Sequence, residues 1–355
     1  MTILQVCAYA APYEGNFIKS LKALGKVYEE KGDKMVYAFP ESAKNISWCK
    51  ELERHTDVHY LPLAKARIKI KTYTMLKEIY HKYKDLRIVH SHFELYDAPV
   101  SLTAPKNVKV FWHLHDALEG YTGMKNRLEH KVQYGFCHKN AILLSVSKKH
   151  MEYVLKKGFP KKNARYVPNG LDTDRIKLVS TMVNQRKYDF LIFGWEYERK
   201  GVDLCIEAIK KNSNENFKVA IVGSENTENI IAQKYGNVPG VEVVKPVSDI
   251  NELYANSKCF LHISRAEGLS YALLEAVYAG LPVICSNISE NKFAEKFPTV
   301  EMVESENVTD IAEKMKCVIS KNAYSKDMIE KSRKIIEEEY AIACWVKNML
   351  KQYGE

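Results

Sequence analysis

Short apolar runs alternate with amphipathic stretches along the 355 residues of this chain. In the first half, the runs that predict strands are Ile3–Ala10, Met35–Phe39, Val58–Leu61, Arg87–His92, Val108–Leu114 and Ala141–Val146. Between them apolar residues recur at helical spacing, as in Phe17–Lys31 and Ile68–Tyr83. Nearly continuous apolar strands are typical of a parallel sheet that is covered on both faces. The pattern therefore predicts a doubly wound α/β domain.

The turn-forming segment Val167–Asp172 separates this pattern from a second one. The second half predicts strands at Tyr188–Gly194, Lys218–Gly223, Val241–Val244, Cys259–Ser264 and Pro282–Ser286, and helices at Val202–Lys211, Tyr271–Gly280 and within Lys326–Tyr353. We therefore expect two Rossmann-like domains that face each other, residues 1–170 and 171–335. A terminal helix in residues 336–355, around Trp345, is expected to pack back on the first domain.

Charge is distributed unevenly between the two halves. Residues 1–178 hold 31 Lys and Arg against 18 Asp and Glu, a balance of +13, and residues 179–355 hold 22 against 26, a balance of −4. Such asymmetry concerns partners and not the fold. The eight cysteines are scattered without a Cys-x-x-Cys pair, which predicts free thiols in a reducing cytoplasm and argues against a cysteine metal site.

The most informative segment is His262–Cys285, where an apolar strand ends in a polar turn and a helix begins at about Ser270. Ligands of open α/β sheets bind at the carboxyl ends of the strands. The backbone amides of Gly268, Leu269, Ser270 and Tyr271, at a helix N-terminus, predict a phosphate site. Two carboxylates frame this turn, Glu267 before the helix and Glu275 within it, and a carboxylate can accept paired hydrogen bonds from sugar hydroxyls.

A second cluster, Gly194–Asp203, also follows an apolar strand and precedes a helix. Its adjacent cations Arg199 and Lys200 can neutralise a diphosphate, Arg199 as a fork and Lys200 as a point charge. On a plain surface such a pair would be solvated, but the strand–turn–helix context favours a binding role.

Together these motifs resemble the family-4 retaining glycosyltransferases. Four motifs agree in type and order, namely Pro168–Asp172, Gly194 with Arg199–Gly201, Glu267 with Glu275, and Ala276–Ile284. The resemblance extends over most of residues 85–350. It implies a GT-B fold and metal-independent transfer of a hexose-type sugar, with retention, from a nucleoside diphosphate. UDP is favoured over GDP, and neither a metal nor another cofactor is expected.

The resemblance also implies roles for single residues. Glu275 would bind the ribose hydroxyls, Arg199 and Lys200 the diphosphate, and Glu267 would lie at the hydroxyls of the transferred sugar as a catalytic residue. His115, in Trp112–Asp116, matches a family histidine at the reaction centre and is the second catalytic candidate; His90 and His92 are structural or lie on the acceptor side.

Two departures from the family pattern concern the diphosphate and the acceptor. Trp195 stands where many relatives carry an arginine, which shifts the binding of the diphosphate toward Arg199 and Lys200. The glycine-rich acceptor-side loop of relatives is reduced here to Gly15 and Asn16.

Three other functions compete with sugar transfer. A Rossmann oxidoreductase would need Gly-x-Gly-x-x-Gly after a strand, and neither Ala10–Gly15 nor Gly223–Asn229 contains it. A sugar-nucleotide epimerase of the same architecture is the alternative, because it binds a similar donor. The cationic half lacks the aromatic and zinc patterns of nucleic-acid modules, so no nucleic-acid partner is expected.

The acceptor is expected to be a glycan, lipid-linked or soluble, in envelope or exopolysaccharide synthesis. The segment Lys65–Lys77 mixes cations with apolar side chains, and three further Lys-Lys pairs lie in the same half. A basic surface of this kind can sit on an anionic leaflet. The sequence thus suggests a cytoplasmic protein with peripheral contact to the inner leaflet.

Overall fold

The computed structural model describes residues 1–115, 124–179, 186–247, 249–320 and 324–354. The chain folds as two compact units, Met1–Gly170 with Ile342–Glu355, and Leu171–Ala341. The first unit thus takes up the chain again at Ile342, whereas the sequence pattern placed the terminal segment from residue 336.

The first unit contains a sheet of seven parallel strands in the order β3-β2-β1-β4-β5-β6-β7. The strands are β1 (Thr2–Cys7), β2 (Lys34–Pro40), β3 (Val58–Leu61), β4 (Leu86–His92), β5 (Lys109–Leu114), β6 (Ile142–Ser145) and β7 (Ala164–Tyr166). The helices before the crossover are α1 (Gly15–Glu30), α2 (Ser47–Glu53), α3 (Ile70–Lys82), α4 (Asp97–Thr103), α5 (Met124–Val132) and α6 (Lys148–Lys156). All six residues of β1 are buried, which explains its continuous apolar character.

The second unit contains a sheet of six parallel strands in the order β10-β9-β8-β11-β12-β13. The strands are β8 (Tyr188–Phe193), β9 (Val219–Val222), β10 (Val241–Val244), β11 (Ser257–His262), β12 (Val283–Ser286) and β13 (Val300–Val303). The helices are α7 (Val202–Lys211), α8 (Glu225–Tyr235), α9 (Asn251–Ala255), α10 (Tyr271–Tyr278), α11 (Val308–Ser320) and α12 (Lys326–Glu339). The predicted class, α/β with two doubly wound parallel sheets, is confirmed.

The chain re-enters the first unit through α13 (Ile342–Tyr353). Trp345, Met349 and Tyr353 are buried in the core between α13, α1 and the sheet. A Cβ on Gly170 would lie 2.8 Å from the Cβ of Trp345, so a glycine is required where the crossover passes this helix.

Several element boundaries differ from the sequence pattern. β1 ends at Cys7 and not at Ala10, because Tyr9 and Ala10 are apolar loop residues that pack on the same core. The strands β7 and β13 were not predicted. Both lie at sheet edges and are short and only partly buried, so neither shows a clear apolar run.

The basic segment of the first unit is a turn that leads into α3. Helix α3 begins at Ile70, whereas the sequence pattern predicted a start at Ile68. Lys65, in the turn, has a φ of 54°. Ile68 and Ile70 are 76% and 81% exposed. Among the described residues, no helix is long and apolar enough to cross a membrane.

Candidate functional site

The polar turn between β11 and α10 lies at the carboxyl end of a central strand. Ser270 caps α10, and its hydroxyl accepts a hydrogen bond from the backbone N–H of Leu273 at 3.4 Å. The first amides of a helix have no acceptor within the helix and are oriented toward its N-terminus. Gly268, Leu269, Ser270 and Tyr271 therefore form the kind of helix start that binds an anion.

Glu267 lies in this turn and is paired with the two predicted cations. Its side chain is only 6% exposed; Lys200 Nζ donates to its Oε1 at 2.7 Å, and Arg199 Nη1 lies 3.3 Å from its Oε2. Arg199 Nη1 also donates to the carbonyl of Ala266 at 2.9 Å. The loop after β8 and the loop after β11 are thus joined by a buried ion pair.

The surroundings determine the charge of Glu267 and of its neighbour His262. Burial by itself raises the pKa of Glu267, but nearby Lys200, His262 and Arg199 outweigh it and lower this pKa to about 2. Burial lowers the pKa of His262 to about 4, although its Nε2 lies 4.0 Å from Glu267 Oε1. At neutral pH the site therefore holds an ionised carboxylate, two cations and a neutral imidazole.

Arg199 has a second carboxylate partner, Glu196, whose side chain is 54% exposed. An exposed ion pair contributes little to stability, so Glu196 can be displaced at low cost. Arg199 and Lys200 together with Glu267 would then carry a net positive charge. This arrangement can bind an anion in front of α10.

The loop after β8 is fixed in place by backbone and ionic contacts. Arg265 pairs with both carboxylate oxygens of Asp203 at 2.9 and 2.7 Å, and its backbone N–H donates to the carbonyl of Arg199 at 2.8 Å.

Gly201, at the N-cap of α7, has a φ of 73°. A Cβ at this position would lie 2.4 Å from the carbonyl oxygen of Ile263. These contacts hold Lys200 beside Glu267.

Glu275 lies on α10 and is buried, with a set of partners different from that of Glu267. The Tyr254 hydroxyl donates to its Oε2 at 3.2 Å, and the Arg175 guanidinium forms an ion pair with its Oε1. Arg175 comes from the short 3₁₀ helix Thr173–Arg175, which follows the crossover. The two carboxylates that the sequence singled out are thus positioned by different parts of the second unit.

Trp195 follows Gly194 at the end of β8, and its side chain is half exposed. Its ring stacks on Phe193 with 5.1 Å between ring centroids. Lys200 Nζ lies 5.9 Å from the Trp195 ring centroid. The residue that stands in place of an arginine thus borders the same cation.

His115 follows β5 in the first unit. Its Nδ1 lies 3.1 Å from Asn169 Oδ1 and its Nε2 lies 3.0 Å from His92 Nδ1. Burial lowers its pKa to about 4, so the ring is neutral. Both of its ring nitrogens have protein partners. Asp116, the last residue of the predicted motif, lies outside the described residues.

Gly15 and Asn16 begin α1 in the first unit. Gly15 has a φ of 60°, and a Cβ there would lie 3.2 Å from the Tyr9 hydroxyl. Asn16 is buried, and its carbonyl accepts a hydrogen bond from Ser20 Oγ at 2.8 Å. The reduced loop is therefore tightly packed at the start of this helix.

Several side chains that contact the predicted site residues were not themselves predicted from the sequence. Arg175 and Tyr254 contact Glu275, and neither stands in a motif that marks it. His262 was part of the informative segment, but no role was assigned to it. Asn169 was identified as part of the turn and of the motif Pro168–Asp172, but its side-chain contact with His115 was not predicted.

Comparisons with known proteins agree with this architecture. The model of the glycosyl transferases group 1 matches residues 178–335, and that of glycosyltransferase family 4 matches residues 24–175. Among curated proteins, the capsular polysaccharide biosynthesis glycosyltransferase CapH of Staphylococcus aureus is 26% identical over 66% of this chain and 67% of its own length. The lipopolysaccharide glucosyltransferase WaaG of Escherichia coli K12 is 29% identical over 36% of this chain and 35% of its own length.

Solved structures share the fold over almost the whole chain. Anabaena HepE in complex with UDP superimposes with a TM-score of 0.80 at 13% identity, covering 99% of both chains. The two family models fall on the two compact units, and the structural neighbours have the GT-B fold. This chain is a member of the family-4 glycosyltransferases.

Proposed function

We propose that this protein transfers a hexose-type sugar from a nucleoside diphosphate, UDP in preference to GDP, to a glycan acceptor with retention of anomeric configuration. The observation that carries the proposal is the group formed by buried Glu267 and Lys200 with half-buried Arg199 in front of the α10 N-terminus. An anion-binding helix start with two adjacent cations suits a diphosphate.

In this proposal each part of the donor has its own partners. Arg199 and Lys200, with the amides of Gly268, Leu269, Ser270 and Tyr271, bind the diphosphate, and Glu267 lies at the hydroxyls of the transferred sugar. Glu275 accepts hydrogen bonds from the two ribose hydroxyls, for which Arg175 would have to give way at Oε1. Binding of the donor thus exchanges a protein ion pair for ribose contacts.

The preference for UDP is supported by structural neighbours. HepE was solved with UDP and with UDP-glucose, and WaaG of E. coli is described as a glucosyltransferase. The half-exposed Trp195 next to Lys200 adds an apolar surface at the entrance of the same site.

No proposed site residue is an obvious covalent nucleophile, because the Glu267 carboxylate is paired with Lys200 and Arg199, so we propose same-face attack steered by the leaving diphosphate. The bond between the anomeric carbon and the phosphate oxygen breaks while the acceptor oxygen attacks from the same face. The acceptor proton passes to the departing phosphate oxygen. Arg199, Lys200 and the helix N-terminus stabilise the charge that develops on the diphosphate, without a metal ion. We also propose that His115 contacts the transferred sugar and that Gly15 and Asn16 lie on the acceptor side.

A donor screen followed by a product assay tests the function. UDP-glucose, UDP-galactose, UDP-N-acetylglucosamine and GDP-mannose are compared by thermal shift, because a ligand that binds the native state raises its apparent stability. The best donor is then incubated with glycan acceptors in buffer that contains a chelator. We expect release of UDP and a product whose anomeric configuration by NMR matches that of the donor. A new nucleotide sugar formed without acceptor would identify an epimerase instead, and loss of activity in the chelator would contradict metal independence.

Glu275→Ala should weaken donor binding by about 10- to 100-fold, because hydrogen bonds to a charged group contribute about 1.5–3 kcal/mol each and the Arg175 ion pair that they displace offsets part of this gain. Calorimetric titration with the best donor measures this. The comparison variant is Arg175→Met, which removes the ion pair that the ribose must displace, so donor affinity should stay the same or rise and should not fall. Unchanged affinity in Glu275→Ala would refute the ribose assignment.

We further propose that the acceptor is a lipid-linked glycan and that the first unit contacts an anionic membrane surface on the cytoplasmic side. The exposed side chains of Ile68 and Ile70 lie among Lys65, Lys69 and Lys71. Arg67 Nη1 lies 3.7 Å from Glu129 Oε2, which joins this segment to α5. Leu128 of α5 is 63% exposed. Cations among exposed apolar side chains are typical of contact with an anionic leaflet.

Co-sedimentation with liposomes tests this contact. Binding to anionic vesicles should exceed binding to neutral ones and should fall with salt, since each Lys or Arg near the surface contributes about 1 kcal/mol. The double variant Ile68→Ser and Ile70→Ser should lose most of this binding, whereas Val247→Ser, an exposed apolar residue of the second unit, should retain it. Equal and negligible binding to both vesicles would leave a soluble acceptor.

A further inference from the structure

Four histidines lie side by side on one face of the first sheet. His90 and His92 lie two residues apart on β4, and His113 on β5 with His115 directly after this strand continues the same face. The rings of His90 and His92 have centroids 4.0 Å apart, and those of His113 and His115 are 4.1 Å apart. His90, His92 and His113 are fully buried. The role of these buried rings, apart from His115, is not explained by the function proposed above.

Hydrogen bonds link three of these rings, those of His90, His92 and His115, to the C-terminal helix. His115 Nε2 lies 3.0 Å from His92 Nδ1, and His92 Nε2 lies 2.8 Å from Gln5 Oε1. Gln5 Nε2 donates to the Tyr353 hydroxyl at 3.0 Å, and that hydroxyl lies 2.7 Å from His90 Nδ1. At the other end, His115 Nδ1 faces the Asn169 amide. This chain of hydrogen bonds runs from Asn169, at the crossover, through the core to Tyr353 on α13.

The chemistry of the residues in this chain of hydrogen bonds determines which atom of each pair donates and which accepts. Burial lowers the pKa of His92 well below its ordinary range and that of His115 to about 4, so each neutral ring carries one N–H. Gln5 Nε2 lies 3.0 Å from the Tyr353 hydroxyl and 3.7 Å from Met35 Sδ. Because a thioether sulfur can only accept, the NH₂ group of Gln5 faces Met35, and Gln5 Oε1 is left to accept from His92. His92 must then donate from Nε2, and its Nδ1 accepts.

We infer that Gln5, His92 and Tyr353 are positioning residues that hold His115 in the tautomer protonated at Nε2. His115 donates from Nε2 to His92, and its Nδ1 is an acceptor. The Asn169 amide therefore presents its NH₂ group to His115, which a half-turn of the amide achieves at the same position. Nδ1 of His115 is thus the nitrogen that can accept a proton or a hydrogen bond when a ligand displaces Asn169.

A metal ion is the competing use of these rings. One ligand atom from each of His90, His92 and His113 lies within 4.8 Å of the others. However, both ring nitrogens of His92 already have protein partners, His115 and Gln5. Among the described residues, this group consists of the three histidines alone. It therefore contains no carboxylate that would compensate the charge of a buried dication. The hydrogen-bonded arrangement accounts for His92 and the metal site does not.

The tautomers can be read directly in two-bond ¹⁵N–¹H correlation spectra of the full-length protein labelled at histidine. We expect His92 and His115 each to be protonated at Nε2. In Tyr353→Phe, the NH₂ group of Gln5 keeps only the weak sulfur acceptor of Met35, so a second population of His115, protonated at Nδ1, should appear. Tyr37→Phe is the matched control, because it removes another tyrosine hydroxyl of the same core, one that donates to the carbonyl of Leu21, and it should leave the spectrum unchanged.

The kinetic part of the inference rests on the proposed function. In Tyr353→Phe and in Gln5→Met, kcat should fall about three- to tenfold, as for loss of one buried hydrogen bond, while KM for the donor changes less than about twofold. An Nδ1-protonated His115 in the unaltered protein, or stoichiometric uptake of added Zn²⁺ with shifts of the His92 resonances, would overturn the inference. If the tautomer of His115 changes in these variants while kcat stays the same, the chain of hydrogen bonds is supported and the role of His115 in sugar transfer is refuted.

Discussion

Replacing Glu267 with alanine should lower kcat by about 10²- to 10³-fold, the range seen when a preorganised electrostatic group is removed from an active site. Glu267 lies 2.7 Å from Lys200 Nζ and 3.3 Å from Arg199 Nη1, so its loss leaves a buried lysine without its counter-charge. The cation that stabilises the departing diphosphate is then no longer held in place. Since both cations remain present, donor affinity should fall much less than turnover. Steady-state kinetics with the best donor and acceptor measures both quantities.

The matched control for this variant is Glu301→Ala. Glu301 lies on β13 of the same unit and is paired with Lys314 at 3.0 Å and with the Tyr324 hydroxyl at 3.0 Å. Its replacement removes a paired carboxylate outside the proposed site, and kcat should stay within about twofold of the unaltered protein. A Glu267→Ala protein that folds and keeps its turnover would show that the site has been wrongly assigned.

Gly201→Ala should destabilise the second unit by roughly 3 kcal/mol and abolish donor binding. The φ of 73° costs a residue with a Cβ about 1–2 kcal/mol. The new Cβ would also lie 2.4 Å from the carbonyl oxygen of Ile263, which is backbone and cannot rotate away. The loops after β8 and β11 must separate to relieve this contact, and they carry Lys200 and Glu267. Urea unfolding followed by circular dichroism measures the loss of stability, and thermal shift with the donor measures the loss of binding.

Gly32→Ala separates the two causes. Gly32 has a φ of 77°, but a Cβ there would meet no atom within 4 Å. This control should lose only the conformational contribution, about 1–2 kcal/mol, and should bind the donor normally. Equal destabilisation in the two variants would mean that the contact with Ile263 adds nothing.

The elements with the clearest periodicity were predicted within one or two residues. α7 was predicted at its observed bounds, and α10 begins directly after Ser270, which the structure shows as its N-cap. These segments combine an apolar pattern with a local capping or turn signal, so local rules suffice. The edge strands β7 and β13 were missed because partial burial leaves no such pattern.

The contacts of His115 could not be predicted from the motif in which it stands. His115 was placed at a strand end by its motif, but its partners His92 and Asn169 come from another strand and from the crossover. The proton position on its ring is decided by these neighbours and, through Gln5, by Tyr353 near the end of the chain.

The sequence by itself determined the two parallel α/β units, the strand-end turns and the family, because apolar periodicity and short motifs are local properties of the chain. Only the tertiary structure decided which charges meet. Lys200 is paired with Glu267 because β8 and β11 are neighbours in the second sheet, which places the loops that follow them side by side. Arg175 reaches Glu275, and Tyr353 reaches Gln5, because the chain crosses and re-crosses between units. Such contacts join residues far apart in sequence, and no spacing rule encodes them.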